Sequence, residues 1–197
     1  MTRFLLSGIA ALLLPGVASA IDLTLRYVTT YTDGIPVRRP CFIDGDKKYA
    51  VTLDSQTELV AAEGSTLFHF TKFPRALMHL RPSPMKASIA FDPVSLPQYR
   101  AAALQLLPRE LQNPLVVAEE TNVLPINDWK TRRITFTYEV GGNAVRESVL
   151  FLNLEPAQQI VVQVRAGESD FALISARAED ILRRWHEVLP EAEQAQN

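Results

Sequence analysis

The sequence predicts an α+β fold: a single domain in which an antiparallel β-sheet is flanked by a mid-chain helix and a long carboxyl-terminal amphipathic helix. Three observations carry that prediction. Most of the chain reads as short runs of alternating apolar and polar residues, broken by glycine, proline and aspartate, which is the pattern of half-buried strands joined by turns. Gly141, Gly142 and Asn143 join two such runs as a hairpin turn. Two stretches, one after Ser95 and one after Ser169, instead repeat their apolar residues every three or four positions, the helical period.

The first strand is expected over Asp22 to Thr29, where Leu23, Leu25 and Tyr27 alternate with polar neighbours. Thr32, Asp33 and Gly34 supply a turn, and Asp44, Gly45 and Asp46 supply another before Tyr49, Val51 and Leu53 alternate again. Four short extended pieces follow: Glu58 to Ala62, Thr66 to Lys72, Ala76 to Arg81 and Met85 to Phe91. Gly64, Pro74, Pro82 and Pro84 forbid a long helix there. Ser95 then offers an N-cap, Pro97 sits near the first turn, and Tyr99, Ala102, Ala103, Leu106 and Leu107 share one side of a helix closed by Pro108.

Strands resume at Leu115 to Ala118, Arg133 to Val140, Ala144 to Leu154 and Gln159 to Arg165, with Ile134, Phe136 and Tyr138 alternating with threonines. The last element is read as a helix of about five turns. Phe171, Ile174, Ala178, Ile181, Leu182, Trp185, Val188 and Leu189 form its apolar stripe, Ser169 or Asp170 its N-cap and Pro190 its terminator. Residues 191–197, rich in Glu, Gln and Ala, read as a disordered tail.

Residues 1–20 read as a cleavable signal peptide, cut after Ala20. Arg3 precedes the apolar run Phe4 to Leu14, and Ala18 and Ala20 place small residues where a signal peptidase requires them. Pro15 and Gly16 end the run short of the roughly 20 apolar residues that a membrane span needs. The expectation is a periplasmic or secreted domain over residues 21–190, without a membrane span. The chain carries a net charge of −2 with both signs dispersed, which gives no electrostatic attraction to nucleic acid or to an anionic membrane. Cys41, the single cysteine, has no intrachain partner and, beside Phe42 and Ile43, reads as a small buried hydrophobe.

The order of elements resembles the PsbP-like and DcrB-like group of exported proteins. Carrying the resemblance are the antiparallel strands that open with Asn127, Asp128 and Trp129, the Phe151, Leu152, Asn153, Leu154 strand, the Gln159 to Arg165 strand and the terminal helix. It implies an antiparallel sheet between helices, in proteins that act mostly as assembly, accessory or binding factors. No functional residue carries over, because no motif is shared. The short strands from Thr57 to Phe91 depart from the group's pattern.

Candidate chemistry is sparse. His69, within Phe68 to Phe70, and His79, within Met78 to Leu80, lie ten residues apart on two predicted strands, so a hairpin could bring their rings together as metal ligands. No third ligand is specified, and ordinary positions on one sheet face fit equally well. His186, beside Trp185, reads as a solvated helix residue. No G-x-S-x-G or S-x-x-K motif and no phosphate-cradling glycine loop occurs, so no cofactor is expected. Asp44 and Asp46 resemble the start of a calcium loop, but Lys47, Lys48 and Tyr49 cannot continue it. Glu119 and Glu120 are neighbours on a strand and must point to opposite faces. The arginine pairs Arg38 with Arg39, Arg132 with Arg133 and Arg183 with Arg184 read as solvated, and Trp129 as a core or rim aromatic bordering a groove.

Two functions remain in view. One is a non-catalytic binding, assembly or accessory protein that engages a protein partner or a small apolar ligand in the cell envelope. The alternative is an envelope hydrolase or metal-dependent enzyme built on His69 and His79.

Overall fold

The structure, a computed structural model, describes residues 21–85, 89–155 and 158–188. Within these, a seven-stranded antiparallel sheet forms the centre. Its strands are β4 (Thr57–Ala62), β5 (Ser65–Phe70), β6 (Leu77–Pro82), β7 (Gln112–Thr121), β8 (Lys130–Val140), β9 (Asn143–Glu155) and β10 (Gln158–Gly167), in the order β4-β5-β6-β10-β9-β8-β7. A second, four-stranded sheet was not anticipated. It consists of β1 (Asp22–Thr32), β2 (Ile35–Asp44), β3 (Lys47–Ala50) and β11 (His186–Glu187). The helices are α1 (Leu96–Leu106) and α2 (Phe171–Arg183).

The register explains the layers. Residues on one face of the large sheet, among them Phe68, Phe70, Met78, Leu80, Leu150, Leu152, Val162 and Val164, pack beneath α2 and the small sheet in one apolar core. On the opposite face, Ile134, Phe136, Val149, Phe151 and Val161 meet Tyr99, Ala102 and Ala103 of α1 in a second core. Ile160 to Val164 on β10 are therefore buried on both faces, which is why that strand is nearly continuous in apolar residues. The hairpin between β8 and β9 turns on Gly141 and Gly142, both at positive φ (56° and 75°), as a tight primed turn requires.

Several expected boundaries move. The terminal helix ends at Arg183, about three and a half turns long rather than five. Trp185 leaves the helix and is only 3% exposed, its ring edge-on to Phe42 at 5.4 Å and to Trp129 at 5.8 Å. His186 and Glu187 then pair with Ala50 and Tyr49 of β3, and the Val188 N–H reaches the Lys48 carbonyl at 2.7 Å. Burying a tryptophan and completing a sheet edge outweigh another turn of helix. His186 is exposed as expected, but on a strand. Leu189, Pro190, the tail and residues 1–20 lie outside the described residues.

Tyr49, Val51 and Leu53 do not extend one strand: β3 stops at Ala50. Between Met85 and Phe91 the described residues form no strand, and Tyr99 packs against Phe91 there while donating its hydroxyl to the Ile89 carbonyl at 2.6 Å. Ser95 holds the N-cap position of α1 but makes no capping bond, since its hydroxyl donates to the Ala90 and Asp92 carbonyls of the preceding loop. Cys41 is buried, 2% exposed, and its thiol pKa is pushed up by that burial.

Candidate functional site: a groove at the open end of the α1 face

α1 is only 11 residues long and covers part of its sheet face. Beside its carboxyl-terminal end, a groove of about 910 Å³ opens over the sheet. Leu77 of β6, Pro108 after α1, and Val140 and Val145 of the β8–β9 hairpin form its apolar walls, and Arg165 of β10 lies among them. This volume falls within the roughly 300–1,000 Å³ typical of small-molecule sites.

The polar groups around Arg165 follow from the ladder. In register across the sheet stand His69, Leu77, Arg165, Glu147 and Phe136, and in the adjacent row Leu67, His79, Gln163, Val149 and Ile134. Glu147 is 2% exposed. Tyr138 donates its hydroxyl to one oxygen of Glu147. Gln163 donates to the other at 2.8 Å, and to the Leu106 carbonyl of α1 at 3.0 Å. Burial pushes the Glu147 carboxyl pKa up, against the lowering effects of Tyr138, Gln163 and nearby Arg165. Burial and the neighbouring Glu147 push the Tyr138 phenol up as well. Acid and phenol thus hold each other behind the groove, whose own charged lining is Arg75 and Arg165 with Glu110, Glu168 and Asp170.

His69 and His79 do share this sheet face, at diagonal positions of the β5–β6 ladder: His79 stands opposite Leu67, and His69 opposite Leu77. His79 is hydrogen-bonded to Ser65 at 3.1 Å, and burial, reinforced by Arg81 and Arg165, lowers its pKa. Glu58 stands opposite His69 on β4. Among the described residues no group of three His, Cys, Asp or Glu is arranged to hold a metal ion.

The other sequence-derived candidates resolve by face. Glu119 pairs with Arg100 of α1, whereas Glu120 pairs with Arg133 at 2.8 Å, and Arg133 also reaches Glu179 of α2 at 2.6 Å. The adjacent carboxylates therefore serve opposite layers. Arg132 is not solvated: it is 6% exposed, its guanidinium 5.8 Å from the Phe91 ring centroid and 5.4 Å from that of Tyr99. Such stacking suits a weakly hydrated planar cation. Arg39 is held by the hydroxyls of Thr30 at 3.0 Å and Thr52 at 2.7 Å. Asp128 and Lys130 line a second hollow, of about 580 Å³, while Trp129 between them packs against Tyr49 and Trp185.

Sequence reasoning missed Glu147, Gln163 and Arg165. For Gln163 and Arg165 the signal was present, since each interrupts the apolar run of a strand covered from both sides, where a polar side chain needs a partner; Glu147, between Arg146 and Ser148, gave none.

No family model matches the chain, and no curated protein matches it in sequence. Solved structures do match. A protein from Bacteroides thetaiotaomicron is 10% identical with a TM-score of 0.48, the match covering 73% of this chain and 46% of that one, so the chain spans less than half of that protein's length. LpqN, involved in cell envelope biogenesis of Mycobacterium tuberculosis, is 11% identical with a TM-score of 0.47 over 84% of this chain and 92% of its own. Cyanobacterial PsbP (CyanoP) from Synechocystis sp. is 11% identical with a TM-score of 0.42 over 93% and 99%.

Proposed function

We propose that this chain is an exported binding or accessory protein of the cell envelope, without catalytic chemistry of its own, that takes a small apolar ligand in the groove beside α1. The groove carries this reading: Leu77, Pro108, Val140 and Val145 form its apolar walls, Arg75 and Arg165 stand among them, and Tyr138, Glu147 and Gln163 behind it are engaged with one another. Such a concave, mainly apolar surface with a few charged groups at hand suits recognition of a ligand. Export rests on the signal-peptide pattern of residues 1–20. Among the described residues no helix is long and apolar enough to cross a membrane.

The test is saturable binding of the neutral apolar dye Nile red to the purified protein, compared with a Val145→Trp variant whose indole fills the groove. Binding that is lost in the variant, with the far-UV spectrum retained, supports the reading. Absence of saturable binding to either protein, or equal binding to both, removes it. Amino-terminal sequencing of the exported protein tests the address: a start at Ile21 is expected, and retention of residues 1–20 would contradict cleavage.

A further inference from the structure

We infer that the ligand of this groove is a single-chain amphiphile with a monoanionic carboxylate head, of the fatty-acid class, whose head pairs with Arg165 and whose alkyl chain lies over Leu77, Pro108, Val140 and Val145. The inference rests on the reading of the groove as a ligand site and adds the chemistry of the occupant.

Charge complementarity carries it. Arg165 is half-buried, and among the described residues no carboxylate lies within ion-pair distance of it. The nearest acid in the ladder, Glu147, acts on Arg165 through its charge while its oxygens accept from Tyr138 and Gln163. The side chain that Arg165 hydrogen-bonds there is the neutral Tyr138, and the groove's other arginine, Arg75, is bonded to Asn143 at 3.3 Å. A guanidinium partly withdrawn from water without a paired anion is unfavourable, and a ligand carboxylate restores the pairing through the guanidinium's two-pronged donor geometry.

The remaining lining selects among anions and among apolar bodies. Glu110 and Asp170 also line the groove, and Glu168, which does so too, is already tied to Arg146. A dianionic phosphate would meet these acids at twice the charge, whereas a carboxylate brings one. No aromatic side chain occurs in the lining, so no surface is offered for stacking a planar ring or a sugar. Aliphatic walls suit a flexible alkyl chain.

Calorimetric titration of the purified protein with decanoate, 1-decanol and decyl phosphate tests this, in the wild type and in Arg165→Met and Arg165→Lys. Wild-type protein is expected to bind decanoate at least about tenfold more tightly than decanol, the effect of one charge-assisted pair. Arg165→Met should abolish that preference, and Arg165→Lys should keep part of it. Equal wild-type affinity for decanoate and decanol overturns the head-group inference and leaves the groove reading standing. Tighter binding of decyl phosphate than of decanoate overturns the choice of carboxylate. A decanoate preference that survives in Arg165→Met also overturns it. Binding of none of the three overturns both the inference and the reading beneath it. The wild-type comparison decides even if a variant fails to fold.

Discussion

The two faces of the seven-stranded sheet have been built to different standards. Beneath α2 and the small sheet, the face is closed by a continuous apolar core in which Phe68, Met78, Leu80, Leu152 and Val162 are essentially inaccessible. Beneath α1, the core is smaller, and the same strands carry His79, Gln163, Glu147 and Arg165 in register beyond it. The polar residues of the first face are tied to the layers that cover it, as Thr66 is to the Leu23 carbonyl at 2.9 Å and Arg133 to Glu179 at 2.6 Å. On the second, each is held by a neighbour or faces the groove. The difference teaches where to look for function in a fold of this kind: stability is concentrated on the face that two layers cover, and chemistry is left to the face that an 11-residue helix covers incompletely.

The sharpest way to break the comparison is to remove the same kind of side chain from each face. Leu80→Ala, on the closed face at 0% exposure, should destabilise the protein by about 2–5 kcal/mol, because the cavity cannot collapse. Val145→Ala, on the groove wall, should lose less than about 1 kcal/mol, since water already reaches the site. Urea unfolding of both variants checks this, and equal losses would mean that the groove is part of the packed interior.

Glu147 comes next. Glu147→Ala leaves the Tyr138 hydroxyl and a Gln163 amide without their acceptor, a loss of about 1–3 kcal/mol, whereas Glu147→Gln keeps an acceptor and the shape and should lose less. Because burial raises the native pKa of Glu147, the folded state binds a proton more readily than the unfolded chain. Its contribution is fully present below the unfolded value of about 4.3 and is lost as pH rises through the raised native pKa. Glu147→Gln should remove that slope from a plot of unfolding free energy against pH. A slope unchanged in the variant would assign the titration elsewhere.

Arg133 separates the layers in a third way. It joins β8 to Glu120 of β7 and to Glu179 of α2, and its side chain is 20% exposed. Arg133→Met should lower stability by about 1 kcal/mol, an effect weakened by salt, because partly exposed pairs are screened. If α2 is held by its apolar stripe, as Phe171, Ile174, Ala178, Ile181 and Leu182 indicate, far-UV helicity will not change. A loss of helicity would show that the ion pairs hold α2 in place.

These contrasts also mark what was legible beforehand. Strand positions were readable, since alternation in Ile134, Phe136 and Tyr138 and the glycines at 141 and 142 are local properties of backbone and side chain. So were the opposite destinations of Glu119 and Glu120, which follow from the pleat alone. The second sheet was not, because β3 and β11 are four and two residues long, and their pairing joins Tyr49 to Glu187 across most of the chain. The end of α2 was misplaced for a related reason: Trp185 and Val188 continue a helical period by spacing, and only the tertiary position of Phe42 and Trp129 favours leaving the helix. The groove stayed hidden because it is assembled from β6, β8, β9, β10 and the segment after α1, which no local pattern connects.

The smallest expected effect concerns His79. Burial lowers its native pKa, so the unfolded chain takes up a proton before the folded one does. The stability this provides is present above the unfolded histidine value of about 6.5 and is lost as pH falls from there through the lowered native pKa. His79→Gln, which can still bond Ser65, should flatten that acid limb, with a smaller change than Glu147→Gln gives on its own limb because His79 is half-buried where Glu147 is fully enclosed. The same pair of proteins addresses the metal alternative. With Ser65 as a hydrogen-bond partner of His79, added zinc should leave Tm where it is. A zinc-dependent rise in the wild type that disappears in both His79→Gln and His69→Gln would instead make the diagonal histidines a ligand pair, and would transfer the chemistry of the open face from Arg165 to β5 and β6.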